Sequence, residues 1–187
     1  MNLEISNIAN LPTEYGNFKI QSFKEGIKEH LVVFTDTLPT IPNLRIHSEC
    51  LTGDVFKSKK CDCGEQLDYA LKQISIDGGM IIYLRQEGRG IGLLNKVNAY
   101  HLQDFGHDTM KANELLGFRQ DYRDYKIVDE ILQYFNIEKI NLMTNNPLKL
   151  NALEKTKIEN RVPIVMNSCK YNYEYLEVKK EKMGHLL

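Results

Sequence analysis

Residues 64–92 read GEQLDYALKQISIDGGMIIYLRQEGRGIG, and this stretch decides the fold. Leu67, Ala70, Leu71 and Ile74 stand at i, i+3, i+4 and i+7, the spacing of one helical face. Asp77-Gly78-Gly79 ends that helix, since glycine readily takes the left-handed conformation that closes a C-terminus. Met80–Leu84 (MIIYL) is short and wholly apolar, as buried strands are. A glycine-rich loop, Arg85 to Gly92, then precedes a helix predicted from Leu93 to about Gln103. Strand, glycine loop and helix in that order aim backbone N–H groups and a helix N-terminus at an anion. The G-x-G-x-G spacing is neither the dinucleotide fingerprint nor a Walker A loop, and most such loops are only loops. Arg85 and Arg89 add guanidinium forks suited to phosphate oxygens.

Upstream, Asn17–Phe23 and Leu31–Thr35 read as strands around a turn at Glu25–Glu29, and Leu44–His47 as a short strand after a proline loop. Downstream, helices are predicted over Thr109–Leu116 and Ile127–Phe135, with a charged, aromatic connector over residues 117–125. Lys139–Met143 reads as a strand, Pro147 opens a helix where no N–H is needed, and Pro163–Met166 reads as a last strand. The Glu- and Lys-rich tail from Tyr173 to His185 reads as a solvated helix. The expected class is α/β with mixed α+β character: a β-rich part, 1–50, beside an α/β unit, 64–166, with a largely parallel sheet and flanking helices. With a helical tail over 172–187 and no repeat or linker, a single domain over 1–187 is expected.

The chemistry concentrates just before this stretch, in Arg45-Ile46-His47-Ser48-Glu49-Cys50 and Cys61-Asp62-Cys63. C-x10-C-x-C places three soft thiolates together, which favours zinc, copper(I) or an iron–sulfur cluster. Three thiolates on a tetrahedral zinc leave one position open, the mark of a catalytic site. The pattern also fits ordinary buried thiols, or a closed structural site completed by His47 or Cys169.

The 187 residues are 42% hydrophobic and 26% charged with a net charge of −1. No global basic field advertises a nucleic acid, so a polyanion must be held locally. No apolar run approaches a membrane span. The start carries no secretory signal, and the cysteines make no disulfide framework, so a cytoplasmic protein with reduced thiols is expected.

Taken together, RIHSECLTGDVF, CDCGEQL, YLRQEGRGIGLLNKVNAYHLQD, the D-x-R of DYRDY and LMTNNPLK resemble the GTP cyclohydrolase II family, from about Leu11 to the KMGHLL ending. The resemblance implies a zinc hydrolase that opens the guanine ring of GTP at C8. Formate and pyrophosphate leave, and 2,5-diamino-6-(5-phospho-ribosylamino)pyrimidin-4(3H)-one remains, the first step of riboflavin biosynthesis. It places one zinc per subunit on Cys50, Cys61 and Cys63, and magnesium with the triphosphate. It places nucleotide contacts on Arg45, Ile46, His47, Ser48, Glu49, Gln66, Glu87, Gly88, Arg89, Thr109, Thr144 and Lys149. Asp121 falls at the proton acceptor, Arg123 at the nucleophile, and Tyr100 against the guanine for ring opening. A homodimer with only the cyclohydrolase activity is implied, and no nucleic-acid or membrane partner.

A guanidinium is normally protonated and no nucleophile, so on energetic grounds Arg123 reads rather as a clamp on the α-phosphate while water attacks, with the covalent route as the alternative. Glu49 is a second candidate for proton handling near the ring. Cys169 reads as a plain thiol, His30 and His185 as surface histidines, and Tyr171, Tyr173 and Tyr175 as packing or interface residues. Two other functions compete: a paralogue that stops at the formylamino product, which Tyr100 argues against, and a zinc-stabilised binding module without catalysis.

Overall fold

The computed structural model describes residues 3–119, 121–181 and 183–186. Strands β1 (Glu4–Ile5) and β2 (Ala9–Thr13) both pair with β3 (Gly16–Glu25), which returns as β4 (Lys28–Phe34). β5 (Asn43–Ser48), α1 (Leu51–Asp54), α2 (Cys63–Asp77) and β6 (Gly79–Leu84) follow. A 3-10 turn over Glu87–Gly90 leads to α3 (Gly92–Asp104), α4 (Thr109–Leu115) and α5 (Lys126–Tyr134). Last come β7 (Lys139–Met143), α6 (Pro147–Leu150), β8 (Lys157–Val162) and α7 (Tyr173–Glu181).

One sheet runs β1-β3-β4-β6-β5-β7-β8, with β2 also on β3. β5 is parallel to both β6 and β7, and β8 is parallel to β7, so this half is the expected α/β unit. The N-terminal strands lie beside it edge to edge: β4 joins β6 antiparallel, with Val32 opposite Ile82. β5 belongs to the β-rich part by sequence, yet it lies inside the parallel half between β6 and β7.

The MIIYL run is apolar because helices cover both faces of its strand. Met80, Ile82 and Leu84 join Leu44 and Ile46 under Val128, Ile131 and Leu132 of α5. Ile81 points the other way, to Ala70 and Ile74 of α2. Each fully buried aliphatic side chain of this kind contributes about 1.5–3 kcal/mol. No helix among the described residues is long and apolar enough to cross a membrane.

Three sequence expectations are corrected. The last strand is Lys157–Val162 and not Pro163–Met166. Beyond Pro163, the backbone of Ile164 pairs with the Asn145 side chain, whose Nδ2 donates to Ile164 O at 2.8 Å while Oδ1 accepts from Ile164 N at 3.2 Å. An amide thus takes the place of a neighbouring strand. His30 is only 3% exposed: its Nδ1 accepts from Arg85 N at 3.0 Å, so it is no surface histidine. The tail helix is not simply solvated either. Lys179 of α7 is 8% exposed, and beyond the helix Leu186 N donates to Asn145 O at 2.9 Å.

Candidate functional site

The parallel strands β5, β6 and β7 end on the same side of the sheet, and the crevice outside such ends is where open α/β sheets bind ligands. β5 delivers Cys50, β6 the Arg85–Gly92 loop, and β7 the Thr144–Lys149 turn, where Asn146 Oδ1 accepts from Leu148 N at 2.9 Å ahead of Pro147. Between them lies a cavity of about 500 Å³.

Cys50, Cys61 and Cys63 stand with their sulfurs within 4.8 Å of one another, and Cys50 Sγ to Cys61 Sγ is 3.7 Å. Two sulfurs bound tetrahedrally to one zinc at about 2.3 Å would stand about 3.8 Å apart, so the spacing fits. Gly53 keeps the space open: a Cβ there would lie 2.9 Å from Cys61 Sγ and 3.1 Å from Cys50 Sγ. Cys50 is the sulfur that ionises first. Hydrogen bonds from Cys61 and Cys63, then the Lys96 charge, hold it well below the usual thiol range. The hydrogen bond with Cys50 pushes Cys61 up to about 11, and Cys63 rises for the same reason. A divalent cation would relieve this crowding, and the three residues fit one.

His47 is not part of the cluster. Its Nε2 lies 3.1 Å from Asp54 Oδ1, and Asp54 Oδ2 accepts from Cys50 N at 3.0 Å and Tyr83 OH at 2.7 Å. Burial holds His47 below the usual histidine range and neutral, so it braces the first cysteine through Asp54. Cys169 also stands apart, its sulfur 3.9 Å from Lys59 O. Among the described residues the metal-capable group is therefore the three cysteines alone.

The other expected residues divide. Arg45, His47, Ser48, Glu49, Gln66, Glu87, Gly88, Arg89, Tyr100, Arg123, Thr144 and Lys149 all line the cavity with the cysteines. Ile46 points into the core at 0% exposure, and only its carbonyl serves the site, accepting from Lys149 Nζ at 2.8 Å. Asp121 stands behind Arg123, whose Nη2 donates to it at 2.5 Å and Nε at 2.9 Å. Thr109 opens α4, and its side chain lies outside the described residues.

The electrostatics favour an anion. Burial and then the neighbouring Arg45, Arg123 and Lys179 charges push Lys149 well below the usual lysine range. Arg89 takes a left-handed φ of 61° after Gly88, and its Nη1 is buried with no hydrogen-bond partner among the described residues. Strain of this kind in a non-glycine residue collects at ligand sites. Burial opposes the Arg123 charge, but the bond to Asp121 outweighs it and holds the guanidinium above its ordinary range. Burial pushes Tyr100 up to about 12, so its hydroxyl, 3.4 Å from Thr52 Oγ1, keeps its proton at neutral pH.

Some site residues were missed in the sequence. Lys96 Nζ donates to Cys50 Sγ at 3.1 Å and Glu87 Oε1 at 2.8 Å. Its spacing of four from Tyr100 on α3 was a usable signal, since i and i+4 share a helical face. Asp62, Tyr175, Lys179 and His185 gave no comparable signal. Tyr175 lies with its ring 4.4 Å from Lys179 Nζ and 6.0 Å from the Arg89 guanidinium. His185 lines the cavity and is no surface histidine; burial, then Lys179, Arg123, Lys149 and Arg89, lowers it to about 3.

Fold and site define an α/β protein whose carboxyl-end crevice joins a thiolate metal cradle to a cationic cleft. The profile of the GTP cyclohydrolase II family matches residues 4–163. The chain is 58% identical to a GTP cyclohydrolase-2 of Campylobacter hominis over 100% of this chain and 97% of that protein. It is 58% identical to one of Helicobacter pylori strain J99 over 99% and 98%, and 60% identical to one of Campylobacter fetus over 97% and 95%. A crystal structure of RibBX, a two-domain 3,4-dihydroxy-2-butanone 4-phosphate synthase from A. baumannii, matches 88% of this chain and 40% of its own at 18% identity and a TM-score of 0.46. The chain belongs to the GTP cyclohydrolase II family and is an enzyme.

Proposed function

We propose that this enzyme hydrolyses GTP at two places: it opens the imidazole ring at C8 with release of formate, and it releases pyrophosphate from the triphosphate. The product is 2,5-diamino-6-(5-phospho-ribosylamino)pyrimidin-4(3H)-one. One observation carries the reading: the three sulfurs, the Arg89 guanidinium with its Nη1 unpartnered among the described residues, and Lys149 line one cavity of about 500 Å³.

Cys50, Cys61 and Cys63 hold one zinc per subunit, which when bound supplies a water with its pKa lowered to about 7. Tyr100 keeps its proton and faces the ring as a donor. Glu49 is held by Arg85 Nε at 3.0 Å, and burial raises its carboxyl above the usual range, so it can carry a proton beside the sulfurs. Arg89 and Lys149 offset the charge of the triphosphate, and Mg2+ bound with the nucleotide would supply further counter-charge. Arg123 stays a cation and clamps the α-phosphate while water attacks, with Asp121 fixing the fork.

The unit acts over residues 1–187 as a cytoplasmic homodimer. Leu94 and Val97 of α3 and the following Phe105, at 77%, 52% and 73% exposure, are large apolar side chains that a second copy would cover. The test is a product analysis with GTP that follows formate, pyrophosphate and the pyrimidine together, after chelation and again after zinc is restored. Formate that appears only with zinc supports the reading. A formylamino product, or no turnover in either state, overturns it.

A further inference from the structure

Lys179 and Asp62 are 117 residues apart in sequence, yet Lys179 Nζ donates to Asp62 Oδ1 at 2.7 Å. Both side chains are buried, at 11% and 1% exposure. Asp62 sits between Cys61 and Cys63. Its other oxygen accepts from Gln66 Nε2 at 2.5 Å, Gln66 Oε1 accepts from Arg45 Nη2, and Arg45 Nη1 donates to Met143 O at 3.0 Å. A continuous polar chain therefore runs from α7 through the cysteine segment to the end of β7. On the far side, Leu186 N donates to Asn145 O, so the tail is tied down on both banks of the cavity.

We propose that Lys179 is a positioning residue for the three-thiolate site, and that its ion pair with Asp62 straps the C-terminal helix across the cavity and fixes the Cys61–Cys63 segment. This rests on the reading of those cysteines as metal ligands. Groups just outside a metal's ligands orient them, and losing one typically lowers metal affinity about 10–100-fold. The coupling is reciprocal: whatever factor tail docking adds to metal affinity, metal adds to tail docking. A closed tail also brings Tyr175 and His185 to the cavity, so metal loading and completion of the wall become one equilibrium. A pair that only neutralised charge would have no such link.

The test titrates the full chain with Co2+ and reads the thiolate-to-cobalt absorption, alongside tryptic cleavage at Lys170 and Lys180 with and without Zn2+. Lys179→Met is expected to weaken Co2+ binding about 10–100-fold, Lys179→Arg to recover most of it, and Zn2+ to protect the tail in the parent chain but not in Lys179→Met. Where Lys179→Met alone fails to fold, Asp62→Asn/Lys179→Met leaves no charge unpaired, and its Co2+ affinity is expected to stay low. Parent-like affinity in Lys179→Met or in the double variant, or a tail cleaved equally fast with and without Zn2+, overturns the inference while leaving the metal reading intact. No cobalt absorption in the parent chain removes the metal reading and the inference with it.

Discussion

Lys96 Nζ donates to Cys50 Sγ at 3.1 Å from the second turn of α3, and the same ammonium bonds Glu87 Oε1 at 2.8 Å. Glu87 is 8% exposed and also accepts from Leu51 N at 2.6 Å, so one buried carboxylate joins the glycine loop, α3 and the cysteine segment. Burial works against the Lys96 charge, but Glu87 and then Cys50 outweigh it, and the ammonium stands above its ordinary range. Lys96→Met strands Glu87, and breaking a buried pair by removing one partner costs about 3–5 kcal/mol. Urea denaturation should show that loss, and Lys96→Met/Glu87→Gln should recover most of it. An unchanged midpoint in the single variant would mean the pair carries no stability.

Gly53 is the second device that shapes the cluster. An added methyl would lie 2.9 Å from Cys61 Sγ and 3.1 Å from both Cys50 Sγ and Cys63 Cβ. Overpacking of this kind costs typically about 1–3 kcal/mol. Gly53→Ala should therefore lose about tenfold or more in metal affinity, read by competition with a chromophoric chelator. Full zinc occupancy at parent affinity would show that the segment yields freely.

The contrast between these residues explains what the sequence could disclose. MIIYL, the α2 stripe and C-x10-C-x-C were legible because each is local: a short continuous apolar run, a period of 3.6, and three thiols carried on one short segment. Lys157–Val162 was not, since an edge strand carries charges that hide its pattern, and the apolar Pro163–Met166 run beside it drew the reading instead. Lys179 and His185 were not, because a Glu- and Lys-rich tail reads as solvated until its partner is known, and Asp62 is 117 residues away. His30 reads as a surface residue for the same reason: its acceptor role depends on a backbone N–H at Arg85.

Ile46 separates core from ligand contact. Its side chain is 0% exposed beneath α5, and only its carbonyl meets the site, through Lys149 Nζ. Ile46→Ala should destabilise the fold by about 2–5 kcal/mol. Below the unfolding temperature its KM for GTP should stay within about twofold, because the backbone acceptor is kept. A large KM increase with intact stability would place the side chain in the nucleotide site.

Arg123 meets Asp121 through two guanidinium nitrogens, Nη2 at 2.5 Å and Nε at 2.9 Å. A lysine keeps the charge but not the fork. Losing one preorganised donor of this kind costs about 10²–10³ in rate. Arg123→Lys should therefore lose pyrophosphate release by that factor while the cobalt absorption of the cysteines is unchanged. Quenched reactions of the parent chain should contain no nucleotide joined to the Arg123 peptide. A guanylylated peptide at that position would replace the clamp by a covalent route.

His30 sets an acid limit on the fold. Burial, then the Lys28 and Arg85 charges, lowers it from 6.5 to about 4. The folded protein therefore refuses a proton that the unfolded chain accepts below pH 6.5. That stabilisation is complete above pH 6.5 and is lost as pH falls from 6.5 toward 4, where the folded state begins to protonate as well. Each unit within this window removes about 1.4 kcal/mol, or roughly 3 kcal/mol across it. His30→Gln removes the titrating ring and keeps an acceptor for Arg85 N. It should cost stability at pH 7.5, yet lose roughly 2 kcal/mol less than the parent chain between pH 7 and pH 4.5 in urea denaturation. Parallel pH profiles for the two proteins would show that His30 titrates alike in the folded and unfolded states, against its buried position at the root of the glycine loop.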